Sequence, residues 1–328
     1  MEVKETAHKG KLLVLVGPTA VGKTKLSIEL AKQYGCEIIS GDSMQVYRGM
    51  DIGTAKATAE QMSEIPHHLI DIRNPDEPFS VSDFQRLAQE TIDRIQRRNK
   101  LPFIVGGTGL YIQSVCYDYA FTEGGADEKF RRDMHEYADR NGAEALLQKL
   151  HEVDPVTALR LHANDRRRII RALEIAKITG ITLSEQLAKQ NRQSPYNLCI
   201  IGLSMDRALL YERIEMRIDV MLEQGLVAEV RGLLEAGYEE TLTAMQGLGY
   251  KEIAAYILGR SSLEEAVLLL KQNTRRFAKR QLSWFRRMAH IDWVDVTESE
   301  NISKHLRSIN DIIEGKFKVN TEYTWKQC

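Results

Sequence analysis

Residues 11–30 read KLLVLVGPTAVGKTKLSIEL, and this stretch decides the fold. Its apolar run, residues 12–16, is short, partly β-branched and stopped by Gly17-Pro18, which predicts a buried parallel strand. Residues 17–24, GPTAVGKT, match G-x-x-x-x-G-K-T in full. Apolar residues at Leu26, Ile28, Leu30 and Ala31 then suit an amphipathic helix over residues 25–34. A loop between a strand and a helix N-terminus turns backbone N–H groups inward, where the helix dipole adds positive potential, so a polyphosphate fits. Gly17, Pro18, Thr19, Ala20, Val21, Gly22, Lys23 and Thr24 form that cradle. Gly22 admits close backbone approach, Lys23 supplies a mobile ammonium, and the Thr24 hydroxyl is placed to ligand Mg²⁺. The pattern is specific for phosphate but not for ATP.

With 328 residues, 43% of them hydrophobic, the chain is long enough for a core domain and a second lobe. Lys and Arg number 45 against 46 Asp and Glu, a formal charge of −1, so a nucleic-acid footprint has to come from local clusters. Cys36, Cys116, Cys199 and Cys328 lie far apart without a C-x-x-C, which predicts a reduced protein without structural zinc. The N-terminal apolar run is too short for a signal peptide or a membrane span, so a soluble, cytoplasmic protein is expected.

A second strand, residues 37–40, runs into Gly41-Asp42-Ser43-Met44-Gln45-Val46-Tyr47. In an open α/β sheet the loop after a strand's carboxyl end faces the ligand crevice, which puts Asp42 near the phosphate loop; an Asp-Ser pair that only turns the chain reads equally well. Residues 67–71 predict a short strand, and Ser82 is expected to cap a helix reaching about residue 98. His67 and His68, pointing to opposite faces, read as one core or surface histidine each rather than a metal site. The strand at residues 101–105 ends in a second glycine-rich loop, GGTGLY at 106–111, carrying Thr108.

From residue 122 to 193 β-branched runs give way to Glu, Arg, Ala and Leu, with helix caps expected at Asp127, Asn141, Asp154 and Asn164 or Asp165. This predicts a helical insertion. Arg166, Arg167, Arg168 and Arg171 crowd the first turns of one of its helices, where cations oppose the dipole, so an anionic partner is expected. Residues 198–201 return to a buried strand, and the remainder is expected to be mostly helical. Arg213 and Arg217 share a face of a helix over residues 207–224, as a phosphate clamp requires and as a surface stripe also does. In residues 274–287, TRRFAKRQLSWFRR, helical spacing puts Arg275, Arg276, Lys279, Arg280, Arg286 and Arg287 on one side. Phe277, Trp284, Phe285 and Met288 fall on the other, as expected of a helix packed by aromatics that offers cations to a nucleic-acid backbone. After Asp295 one more amphipathic helix is expected, then a poorly ordered polar tail over residues 315–328.

The predicted fold class is therefore α/β: a P-loop NTPase-like parallel sheet flanked by helices, in two parts over residues 1–121 and 194–314, interrupted by the all-helical insertion at 122–193. A phosphate loop with an Asp at the next strand end serves either phosphoryl transfer or displacement of pyrophosphate from carbon. A kinase would carry a metal-binding acid after a second hydrophobic strand, whereas Ile104-Val105 is followed by Gly106-Gly107.

Over residues 11–293 the chain resembles the tRNA dimethylallyltransferases, or tRNA isopentenyltransferases, of bacterial type. The matching stretches are GPTAVGKT at 17–24, DSMQVY at 42–47 with MDIGTAK at 50–56, GGTGLY at 106–111, NDRRRIIRALE at 164–174, GLGYKE at 247–252 and the helix at 274–287. Val21 stands where the family has Ser, and Ala57 where it has Pro; neither position has an evident chemical duty. The zinc finger of eukaryotic relatives is absent. The resemblance implies transfer of a dimethylallyl group from dimethylallyl diphosphate to N6 of adenine 37 in tRNAs reading codons that begin with U. It implies Asp42 as the base, Thr108 as a positioning hydroxyl, and Lys23, Arg217 and Thr24-bound Mg²⁺ as stabilisers of the leaving diphosphate. Among tRNA contacts it implies Asp42, Ser43, Met44, Gln45, Thr108, Arg131, Arg166, Arg167, Arg168, Ile169 and Ile170. It adds Gly247, Gly249, Tyr250, Lys251, Arg276, Arg280 and Arg287, with the adenine flipped into the core. A monomer is expected. A small-molecule P-loop kinase or adenylate isopentenyltransferase needs neither arginine cluster, and a non-catalytic RNA-binding protein leaves Asp42 and the phosphate loop unused.

Overall fold

The structure, a computed structural model, describes residues 9–121, 127–190, 193–298 and 301–318. It separates into two compact units, Asp118–Gln193 and the remainder of the chain.

The larger unit is built on a six-stranded sheet of order β3-β2-β4-β1-β5-β6, every pairing parallel. Its strands are β1 (Lys11–Val16), β2 (Cys36–Gly41), β3 (His67–His68), β4 (Leu101–Gly106), β5 (Asn197–Ser204) and β6 (Ile291–Asp295). Its helices are α1 (Lys23–Tyr34), α2 (Ala59–Glu64), α3 (Val81–Arg97) and α4 (Gly109–Cys116) before the smaller unit. The chain then returns with β5 and continues through α10 (Arg207–Glu223), α11 (Leu226–Glu235), α12 (Tyr250–Ile257), α13 (Leu263–Phe285) and α14 (Ile302–Phe317). Leu12 through Val16 are wholly buried because β1 lies between β4 and β5 with both faces covered, which explains why the run is continuous rather than alternating.

Several boundaries differ from the sequence expectation for identifiable reasons. Helix α3 begins two residues earlier, because Ser80 rather than Ser82 caps it, in a reciprocal capping box with Asp83. Strand β6 was not anticipated. Among the described residues its one neighbour is β5, an edge position, and Asp292 and Trp293 stay exposed while Val294 is buried. Helix α14 continues to Phe317, which is buried, so ordered chain extends past Gly315, where the tail was expected to start. Residues 319–328 lie outside the described residues.

The smaller unit comprises α5 (Glu128–Asn141), α6 (Ala143–Val153), α7 (Pro155–Ala158), α8 (Arg166–Thr179) and α9 (Leu183–Lys189) around a core that includes Leu146, Leu150, Ile169 and Leu173. Asp127 and Asp154 cap helices as expected. Asn141 instead ends α5, with Gly142 at the start of α6, and Asp165 precedes α8 without a side-chain cap. No helix among the described residues is long and apolar enough to cross a membrane.

Candidate active site

Parallel strands bring the carboxyl ends of β1, β2 and β4 to one edge, and three loops leave there: residues 17–22, 42–45 and 107–108. In the first, Gly22 adopts φ 103 as the residue before α1, a left-handed conformation open to glycine at little cost, and no side chain caps the helix. Ala20 also lies at φ 65, where a non-glycine residue stores about 1–3 kcal/mol that surrounding contacts must hold. Lys23 folds back over the loop, its Nζ donating to the carbonyls of Gly17 at 3.0 Å and Pro18 at 2.8 Å.

The charges around this loop are unbalanced. Burial, and then the Arg217 guanidinium, push the Lys23 ammonium down to about 7, while Asp42 acts the other way. Burial likewise pulls Arg217 below its ordinary value, with Asp42 opposing. Two desolvated cations thus look to one carboxylate, an arrangement that favours a further anion between them.

Asp42 and Thr108 fix the second and third loops to each other. Asp42 Oδ1 accepts the Met44 amide at 2.9 Å, so the residue does turn the chain; its Oδ2 has no hydrogen bond among the described residues. Thr108 Oγ1 accepts the Ser43 amide at 3.0 Å and donates to the Ser43 hydroxyl at 3.3 Å, and the Thr108 amide donates to Gly41 O at 3.1 Å.

Two adjoining cavities open at this edge. One, of about 360 Å³, is lined by Lys23, Thr24, Asp42, Arg213 and Arg217 among others. The other, of about 280 Å³, presents Ile214, Ile218, Met221, Leu270 and Phe277 beside Gly247 and Gly249. Asp42, Arg217 and Phe277 line both, so a carboxylate and a guanidinium stand where a chamber lined by cations and hydroxyls meets an apolar one. The Arg213–Arg217 pair is therefore turned to the site and is not a surface stripe.

The structure redirects some expected contacts. Gln45 has both ends of its amide engaged within the protein, accepting from Ser40 Oγ at 2.8 Å and donating to the carbonyls of Thr54 at 3.2 Å and Ala55 at 3.4 Å. It braces the 51–57 loop while lining the polar chamber. Tyr250 is 1% exposed, its hydroxyl donating to Glu229 at 2.7 Å. Glu229 was not singled out in the sequence, yet its carboxylate also accepts the amides of Asp51, Ile52 and Gly53 at 2.9, 2.8 and 3.1 Å. One side chain therefore ties the wall loop to the start of α12. Gln281, equally unmarked, joins the Thr19 amide to the Gly107 carbonyl. Neither had a local signal, since the backbone groups they bind are 174 or more residues away.

On α13 the cation stripe is narrower than helical spacing predicts. Arg276, Lys279, Arg280, Arg286 and Arg287 are exposed, but Arg275 turns to α10 and pairs with Glu215. The helix ends at Phe285, so Arg286 and Arg287 lie in the turn beyond it. On the opposite side Phe285 and Met288 are buried, Phe277 lines both cavities, and Trp284 is 38% exposed with its Nε1 donating to Gln113. Lys251 and the glycines Gly247 and Gly249 flank Tyr250 near the apolar chamber.

Within the smaller unit, Arg131, Arg132, His135, Arg167 and Arg171 border a basic cavity of about 610 Å³. Glu174, fully buried, organises it, accepting Arg131 Nε at 2.8 Å and Arg131 Nη2 at 3.1 Å as well as Arg171 at 2.5 Å. Arg166 pairs with Asp139 at 2.7 Å, whereas Arg167 and Arg168 are exposed. Ile169 and Ile170 are 0% and 2% exposed, packed in the core of this unit, with Ile170 also lining the basic cavity.

No trio of His, Cys, Asp or Glu among the described residues forms a metal site. The phosphate chamber instead offers one hard oxygen donor, the Thr24 hydroxyl, which suits a Mg²⁺ ion taking its remaining ligands from water and a bound diphosphate.

Comparison with known proteins bears on this geometry. The sequence profile of the IPP transferase family matches residues 45–288. The tRNA dimethylallyltransferase of Bacillus cytotoxicus is 52% identical over 317 residues, 97% of this chain and 99% of its own. That of Bacillus cereus strain Q1 is 53% identical over 314 residues, 96% and 98% of the two chains. Among solved structures, the full-length tRNA isopentenylpyrophosphate transferase of Bacillus halodurans superposes with a TM-score of 0.70 at 48% identity, over 94% of this chain and 99% of that one. A eukaryotic dimethylallyltransferase captured acting on tRNA gives a TM-score of 0.81 at 29% identity, over 94% and 79%.

Proposed function

The chain belongs to the IPP transferase family, the tRNA dimethylallyltransferases, and we propose that it moves a dimethylallyl group from dimethylallyl diphosphate to N6 of adenine 37 in tRNAs reading codons that begin with U. The observation that carries the chemistry is the junction of the two chambers at Asp42 and Arg217. The diphosphate occupies the polar chamber against Lys23, Arg213, Arg217 and the amides of the 17–24 loop. The prenyl chain and the flipped adenine meet at the apolar side.

An exocyclic amine conjugated with a purine is a weak nucleophile, so its proton must leave as the bond to carbon forms. The N6 lone pair attacks the allylic carbon next to the oxygen, the C–O bond breaks, and its electron pair departs with pyrophosphate. The N6 proton passes to Asp42 Oδ2. Lys23 and Arg217 meet the charge that develops on the leaving group. Mg²⁺, held by Thr24 and the phosphates, would supply further neutralisation of that charge when bound. Thr108 holds the 42–45 loop and so the aim of Asp42.

The exposed cations of α13 and, in the smaller unit, Arg167 and Arg168 serve the tRNA backbone. A cytoplasmic monomer suits this reading. The test is Mg²⁺-dependent prenylation without ATP: formation of pyrophosphate from dimethylallyl diphosphate, dependent on added unmodified tRNA, is expected. Phosphorylation of a nucleoside with dimethylallyl diphosphate left intact would replace this reading with a kinase.

A further inference from the structure

Gln281 lies on α13 at the point where that helix crosses the diphosphate chamber, 6% exposed. Its side-chain oxygen accepts the Thr19 amide at 2.9 Å, and its nitrogen donates to Gly107 O at 3.0 Å. The partners are separated from it by 262 and 174 residues, so nothing about local helix formation requires these bonds. The amide satisfies both at once, whereas a carboxylate has no proton for Gly107 O, and an apolar chain leaves both backbone groups bare in a confined place. The approach is so close that a Cβ on Gly107 would fall 2.2 Å from Gln281 Nε2, so a side chain there would have to displace the Gln281 amide.

We propose that Gln281 is a positioning residue for the prenyl-diphosphate site: it clamps the entrance of the 17–24 loop to the 107–108 loop and so sets the aim of the amides of residues 20–24 at the diphosphate. This rests on the assignment of the 17–24 loop to the diphosphate. Thr19 comes just before Ala20, whose left-handed backbone needs outside support, and Gln281 supplies it from the neighbouring residue. On the other side of the clamp, Gly107 leads directly into Thr108, which holds Ser43 beside Asp42. Gln281 therefore keeps the anion-binding loop and the loop bearing the base in a single register. It touches neither reacting atom. The outward face of the same helix carries Arg276, Lys279 and Arg280, so phosphate contacts there leave the clamp's own bonds intact.

The test uses the full chain with Gln281→Met, Gln281→Glu and Gln281→Ala. The readouts are pyrophosphate affinity by calorimetry in Mg²⁺, tRNA affinity, melting temperature, and KM for each substrate against kcat. Met keeps the volume and loses both bonds; Glu keeps the volume and the acceptor but puts a negative charge beside the anion site. Pyrophosphate affinity and the KM for dimethylallyl diphosphate are expected to worsen about tenfold in Met, which corresponds to about 1.4 kcal/mol, and further in Glu, with tRNA affinity within twofold of the parent. Equal pyrophosphate affinity in the parent and the Met and Glu variants overturns the proposal. So does a loss of tRNA affinity that parallels the loss for pyrophosphate, since that marks general loosening of α13. Because pyrophosphate binding is read without prenyl transfer, a parent chain that binds pyrophosphate but transfers nothing contradicts the proposed reaction and leaves the clamp to be judged on binding alone.

Discussion

Lys23 lies beside Arg217 in a partly closed chamber, and burial together with that guanidinium holds its ammonium down at about 7, well below the ordinary 10.5. A bound diphosphate sets negative charge against that guanidinium and favours the charged ammonium, so binding and protonation are linked. Between those two values the empty site is mostly neutral at Lys23 and the filled site is charged. Calorimetry of pyrophosphate binding at about pH 8.5, in buffers of differing ionisation enthalpy, should therefore report more proton uptake in the parent than in Lys23→Met, the difference falling toward zero below about pH 6. A difference that does not change with pH removes Lys23 from the anion site.

The same depressed value predicts a stability effect of defined sign. A lysine whose folded value lies below its unfolded one costs stability while charged, and the cost fades as pH rises from about 7 toward 10.5. Lys23→Met should raise the melting temperature of the ligand-free chain near pH 6 and lose that advantage with rising pH. A variant that is less stable than the parent at low pH contradicts this.

Asp42→Asn retains the Oδ1 acceptor that holds the Met44 amide and removes the basic oxygen. Transfer in a single turnover should slow by about 10²–10⁴-fold, the usual worth of a positioned base, while tRNA still binds. Rates within a few-fold of the parent would exclude Asp42 as the proton acceptor.

Glu229 satisfies three successive backbone amides and the Tyr250 hydroxyl, so truncating it orphans all four donors. Glu229→Ala should cost about 1–3 kcal/mol, toward the lower end because this corner is part exposed, measured by denaturant titration. Tyr250→Phe should cost less, as it leaves the three amides paired. Equal stability of both variants and the parent would mean that the wall loop holds itself.

Replacing Arg276, Arg280 and Arg287 with Gln should weaken every tRNA substrate alike and flatten the salt dependence of binding, with little change in rate at saturating tRNA. All three are exposed, and Arg275, which pairs with Glu215, serves as an internal control whose loss should affect salt dependence less. An unchanged salt slope in the triple variant shifts the RNA track to Arg167 and Arg168.

Elements whose cause is local were readable from the chain alone. The strand, loop and helix of residues 11–34 follow from hydrophobic runs and glycine placement, and the Arg213–Arg217 face follows from helical period. Features that depend on distant partners were not. The burial of Ile169 and Ile170 came from packing against α5 and α6, the internal use of Gln45 from the path of the 51–57 loop, and the roles of Glu229 and Gln281 from residues far along the chain. Strand β6 was hidden because a short edge strand needs little continuous apolar sequence.

The central claim is tested most directly by incubating the chain with unmodified tRNA, dimethylallyl diphosphate and Mg²⁺, without ATP, and weighing the nucleosides after digestion. The account predicts one adenosine per tRNA heavier by a single five-carbon prenyl unit, located beside the anticodon, and none when that adenosine is replaced by another base. Unaltered adenosine in a chain that demonstrably binds both substrates, or prenyl transfer to free adenosine monophosphate in preference to tRNA, would contradict it.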